Sequence, residues 1–215
     1  MRLPSRLIMI IFIFGLSIMA CATLAGENSE TSGNILFRDD FSDPSSGWDR
    51  VRSDQGITDY ENDIYRIYVN DTNIDYWANP NLSFTDVIVE VEASKMSGPD
   101  DNDFGIICRY KDVENFYFFI ISSDGYYGIG KMKNNQQVLI GRENLLPSED
   151  IYQGEATNNI QAECIGNSLT LFVNDQKLSQ VVDEDFSSGD VGLIAGTYEA
   201  GGTDIYFDNF KVLKP

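Results

Sequence analysis

From Asn34 to Pro215 no segment sustains an apolar period of 3.6 residues; hydrophobic residues come in short runs or in strict alternation, separated by turn residues. An amphipathic helix cannot be built from that pattern, but strands can, because successive side chains of an extended chain point to opposite faces. Asp86 to Ala93 sets Val87, Val89, Val91 and Ala93 on one face and Glu90 and Glu92 on the other. Ile64 to Val69 (IYRIYV) is dense in β-branched and aromatic residues. Further strands are predicted over 104–110, 115–122, 126–133, 137–141, 159–164, 169–173, 178–182, 191–195 and 204–213. Asp124-Gly125, Gly166-Asn167, Asn174-Asp175 and Ser188-Gly189-Asp190 supply turns between them. The spacing predicts an all-β chain, a two-sheet antiparallel β-sandwich or jelly roll forming one domain over 34–215.

The N-terminus predicts export. Arg2 and Arg6 precede an almost unbroken apolar run from Leu7 to Ala20, too short for a comfortable membrane span and suited to a signal peptide over 1–20. The run ends in Ile18-Met19-Ala20-Cys21, which resembles the lipobox of bacterial lipoproteins, with Met19 bulkier than the usual residue. The resemblance implies cleavage before Cys21, lipid on its thiol, and a membrane partner reached through that anchor. The expected location is the cell envelope, lipid-anchored, with the domain outside the cytoplasm. Residues 21–33 then form the lipidated cysteine and a small, polar tether reaching roughly 20 Å.

Charge and residue counts remove whole classes of function. Residues 21–215 hold 13 Lys and Arg against 34 Asp and Glu, a net −21, so nucleic acid and anionic headgroups are repelled. There is no histidine, which excludes Ser-His-Asp and Cys-His triads and His-ligated zinc. Beyond Cys21 only Cys108 and Cys164 remain. In an oxidising compartment the pair reads as a disulfide, the alternative being two buried thiols.

Several segments resemble one family. Phe37-Arg38-Asp39-Asp40-Phe41-Ser42-Asp43-Pro44 through Gly47-Trp48 is similar to the first strand of concanavalin A-like (LamG-like) sandwich domains of bacterial surface proteins. Asp103-Phe104-Gly105-Ile106-Ile107-Cys108-Arg109 resembles a strand of the 3-keto-disaccharide hydrolase-like branch. Asn159 to Val173 and Asn174, with Asp175 in place of Gly, is similar to its paired strands. Gly189 to Leu193 and Tyr206 to Phe210 resemble its closing strands. The resemblance implies the sandwich fold; each motif is structural punctuation and assigns no activity.

Candidate sites follow. In the last strand the apolar parity switches at Asp208-Asn209, which predicts a β-bulge. The resemblance implies a structural calcium held there by Asp208 with Asp39 or Asp40; otherwise Asp208 hydrogen-bonds backbone at the bulge. Asp100-Asp101-Asn102-Asp103 lacks the downstream Glu of an EF-hand loop and reads as a solvated hairpin loop. Asn115 to Ser122 (NFYFFIIS) is apolar on both parities. A Ser123-Asp124-Gly125 loop would place Tyr117, Phe119, Ile121, Tyr127 and Ile129 in the core. Phe116, Phe118, Ile120 and Tyr126 would then take the other face, opposite Gly128 and Gly130 and joined by Ile107 and Arg109. Arg109, Phe116, Phe118 and Tyr126 are the expected ligand contacts, a sugar-stacking strip, unless a loop or strand covers it. Trp48 and Trp77 could contribute, although tryptophans are more often buried. Glu90 and Glu92 do not meet the retaining-glucanase pattern Glu-x-Asp-x-x-Glu, so no catalytic residue is assigned.

Three functions stay open. A non-catalytic envelope module binding carbohydrate or another envelope component calls for a concave groove lined by aromatics. A glycosidase-type hydrolase calls for a buried acid pair in a pocket. A protein-interaction domain calls for a flat apolar patch.

Overall fold

The computed structural model describes residues 34–215; the expected signal segment over 1–20, Cys21 and the expected tether lie outside the described residues. These residues form strands and turns with no helix. In chain order the strands are β1 (Ile35–Asp39), β2 (Val51–Arg52), β3 (Gly56–Glu61), β4 (Ile64–Val69), β5 (Ile74–Ala78), β6 (Val87–Ser97), β7 (Asn102–Asp112) and β8 (Asn115–Ile121). They continue with β9 (Tyr126–Lys133), β10 (Gln136–Leu139), β11 (Leu146–Pro147), β12 (Thr157–Ile165), β13 (Ser168–Val173), β14 (Gln176–Val182), β15 (Asp190–Thr197) and β16 (Thr203–Leu213).

Two antiparallel sheets result. The first runs β14-β13-β12-β6-β16-β4-β3-β2, with β1 also on β16; the second runs β10-β9-β8-β7-β15-β5, with β11 also on β9. The alternation seen in the sequence sends Val87, Val89, Val91 and Ala93 of the first sheet inward. Phe104, Ile106, Tyr117, Phe119 and Ile121 of the second sheet meet them in one core. A disulfide between Cys108 on β7 and Cys164 on β12 crosses that core and joins the sheets.

Asp39 organises one end of the core. Its carboxylate accepts the Phe41 backbone N–H at 2.8 Å and the Trp48 indole N–H at 2.9 Å, and it also takes the Ser46 hydroxyl. Trp48 is thereby fixed against Phe210 and Phe41, with ring centroids 4.9 and 5.4 Å away. A buried carboxylate bonded in this way is a structural cap.

Arg109 departs from its expected place. A bulge in β7 breaks the pairing after Cys108, and Arg109 takes a φ of 54°. Its side chain therefore leaves the outer face and is buried. There it donates to the Phe186 carbonyl at 2.8 Å and reaches Asp86 and the Thr85 carbonyl. It ties loops together and contacts no open surface.

The disulfide closes a sequence separation of 56 residues, and chain-entropy reasoning assigns such a link about 4 kcal/mol. Cys164→Ala is expected to lower unfolding stability by about 2–4 kcal/mol in urea titration. Cys108 and Cys164 should give no free thiol under denaturing, non-reducing conditions.

Candidate functional site

The outer face of the second sheet carries every second residue of its strands. Register places Asp75 and Trp77 of β5, Ile194 and Gly196 of β15, and Asp103, Gly105 and Ile107 of β7 on it. Phe116, Phe118 and Ile120 of β8 and Gly128 and Gly130 of β9 share the same face. The hairpin closes through Ser123-Asp124-Gly125 with Gly125 at φ 95°, so the predicted register holds and Tyr117, Phe119, Ile121, Tyr127 and Ile129 face the core.

The expected stacking strip is covered. Phe116 and Phe118 are 1% exposed and form a second small core with Ile107, Ile120 and Ile194. Met132, Leu139 and Leu145 fold over it from one side, and Trp77 and Tyr110 from the other. Glycine makes that closure possible: the Phe118 ring lies over Gly130, and the Leu139 and Leu145 side chains lie over Gly128. Phe116 and Phe118 are thus a floor beneath the surface. Of the expected contacts, Tyr126 remains available, 39% exposed.

Above this floor lies a groove of three adjoining cavities of about 780, 520 and 460 Å³, all bordered by Tyr198. Tyr126, Asp124, Asp101 and Glu199 line the largest. Arg142, Glu143 and Leu145 border the second, and Asp75, Trp77, Asp103 and Gln137 the third. Gln137 and Asp75 stand on the two terminal strands of the second sheet, β10 and β5, yet border one cavity. The sheet therefore curls across its own outer face.

Asp75 and Asp103 are the chemically distinctive pair. They flank Gly196 from the strands on either side of β15, and their carboxyl groups converge over that glycine. A Cβ at position 196 would stand 2.9 Å from Asp103 Oδ1 and would also meet Asp75 Oδ1. Burial pushes the Asp75 carboxyl up to about 6, against the pull of Gln137. Burial, then the like charge of Asp75, pushes Asp103 well above the ordinary carboxylate range, against the pull of Tyr198. Two acids placed together at neutral pH retain a proton.

Other predicted residues lie apart. Glu90 and Glu92 stand on the first sheet, beside a separate cleft that also holds Asn159, Gln161 and Lys211. The bulge at Asp208-Asn209 is present, with Asn209 at φ 54°. Asp208 there accepts the Asn209 N–H at 2.6 Å and pairs across to Glu92, while Asn209 lines the cleft that Asp39 and Asp40 border. Among the described residues no group of three acidic or cysteine side chains is placed to hold a metal ion. The 100–103 cluster divides: Asp100 and Asp101 are exposed, whereas Asn102 and Asp103 are buried at the start of β7.

Sequence reasoning missed the acid pair because it missed β5. Asp75 within Ile74–Ala78 breaks the apolar alternation at the very residue that faces the cavity. The available signal was the parity of Asp103, Gly105 and Ile107, which sets Asp103 on the face of the aromatic strip.

Two predictions follow from this geometry. Phe118→Ala is expected to cost about 3–5 kcal/mol of stability in urea titration, as a core truncation does. The second concerns pH. The folded state binds more protons than the unfolded chain between the ordinary Asp value of 3.8 and about 6, through Asp75 and through Asp190, also raised to about 6 by burial. Stability therefore falls as pH rises through that window and is greater at pH 5 than at pH 7. Asp75→Asn should flatten that slope in melting curves.

No protein-family model matches the chain, and no curated protein matches it in sequence. Solved structures do match in fold. The carbohydrate-binding module CBM66 from Bacillus subtilis has a TM-score of 0.61 at 16% identity, covering 78% of this chain and 96% of that one. A Bacillus subtilis protein of unknown function with a galectin-like fold has a TM-score of 0.61 at 11% identity, covering 85% and 96%. A Bacteroides ovatus mixed-linkage-glucan GH16, solved with a product, has a TM-score of 0.61 at 10% identity, covering 83% and 100%. The described residues thus have a galectin- or concanavalin-like β-sandwich fold.

Proposed function

We propose that this chain is a non-catalytic carbohydrate-binding module that takes a glycan into the groove over the second sheet. The observation that carries the reading is the placement of Tyr126, Tyr198 and Trp77 along one groove together with carboxylates and side-chain amides. Aromatic faces pack against the C–H faces of sugar rings, and carboxylates and amides bond their hydroxyls. The apolar floor holds this surface rigid, which limits the ordering cost of binding. Fold neighbours that include a carbohydrate-binding module and a glucan-processing enzyme support the same reading. Lipid on Cys21 and the short tether would keep the groove close to a membrane, within the cell envelope.

The acid pair favours a second reading, a hydrolase of the 3-keto-disaccharide type. Its geometry argues for binding instead. Glycosidase carboxyls flank the scissile bond from opposite sides, whereas Asp75 and Asp103 lie side by side on one floor over Gly196.

The test is a glycan array probed with the mature chain, residues 21–215, with calcium and with chelator, followed by assay for released product. Specific binding is expected, unaffected by chelator and reduced at least tenfold in Tyr198→Ala and Tyr126→Ala, with no product released. A blank array would overturn the reading, and product release that stops in Asp75→Asn would replace it with the hydrolase.

A further inference from the structure

We infer that the groove selects glycans bearing a free amino group, whose ammonium is seated on the Asp75 and Asp103 carboxylates over Gly196; this rests on the carbohydrate-binding reading. The fold answers several of its other buried carboxylates with its own cations. Asp59 pairs with Arg50 and Arg52, Asp183 with Lys131, and Asp204 with Arg66. The cavity that holds Asp75 and Asp103 has no Lys or Arg in its lining. Asp103 is only 2% exposed, so water does little to replace the missing charge.

The groups facing the pair are known from every side. Gln137 of β10 and Tyr198 after β15 border the same cavity as the two carboxyls, Trp77 and Met132 supply apolar wall, and the further charge is Asp101. A primary ammonium brings three N–H donors and the cation that the cavity lacks, and Trp77 offers it a ring face. Gly196 is what lets both acids reach one point: a methyl there would collide with them. An anionic sugar would meet Asp101, Asp124, Glu143 and Glu199 along the rest of the groove, with Arg142 as the one opposing charge in its lining. The proton that burial keeps on the pair leaves when an ammonium binds, so binding releases a proton.

The experiment is isothermal titration of the mature chain at pH 6 and fixed salt with a glucosamine tetramer and with its fully N-acetylated counterpart. At least tenfold tighter binding of the amine is expected, with an enthalpy that changes with the buffer's ionisation enthalpy. The preference should vanish in Asp75→Asn, Asp103→Asn and Gly196→Ala, and persist in Glu184→Gln, which removes an equal charge from an exposed loop. Equal affinity for the two tetramers, or a preference that survives Asp75→Asn in a folded protein, would overturn the inference. Binding of uncharged glycans that needs Tyr198 but shows no amine preference would leave the carbohydrate-binding reading standing. A failure of every glycan to bind would remove both.

Discussion

Strands β7, β8 and β15 are buried on both faces along most of their length, and a sheet made of them is covered twice. The first sheet covers the inner face. The outer face is covered by the second sheet's own edge, which curls back so that Leu139, with Leu145 of the following loop, lies on Phe116, Phe118 and Ile120. That outer cover shapes the groove. It brings Gln137 to Asp75 from the far end of the sheet, and it leaves Tyr126, Tyr198 and Trp77 on the rim of a rigid floor.

Charge is distributed according to burial. Where carboxylates are half-buried for structural ends, the chain supplies partners: Arg66 grips Asp204 through two hydrogen bonds of 2.8 and 2.9 Å, and Lys131 serves Asp183 and Asp185. Asp39 and Asp190 are buried without a cation, but Asp39 has its oxygens occupied by Phe41, Ser46 and Trp48, and Asp190 accepts the Val191 N–H. Asp75 and Asp103 follow neither pattern, and they lie in a cavity. Buried acids with raised proton affinity inside a cleft are a common mark of a working site.

The fold neighbours set a boundary on what similarity contributes. At identities of 10–16% they share the sandwich, and a sandwich hosts many unrelated activities. What distinguishes this chain is its own groove, whose glycine at 196 and acids at 75 and 103 come from three adjacent strands.

The sequence by itself determined the local structure. Period-two patterning and turn residues placed β4 and β9 over the residues they occupy, and the Ser123-Asp124-Gly125 loop determined which face of each hairpin strand looks inward. The same parity change predicted the bulge at Asp208, and the two remaining cysteines proved to be a bridge between sheets. These features depend on near neighbours, whose periodicity is written in the chain. Tertiary structure alone decided what covers each face. Phe116 and Phe118 became floor because the edge of their own sheet folds over them, and Arg109 was turned into a loop clamp by a bulge. Asp75 and Asp103 became a pair because β15 passes between their strands. Such meetings join positions far apart in the chain, and no local pattern records which strands will lie side by side.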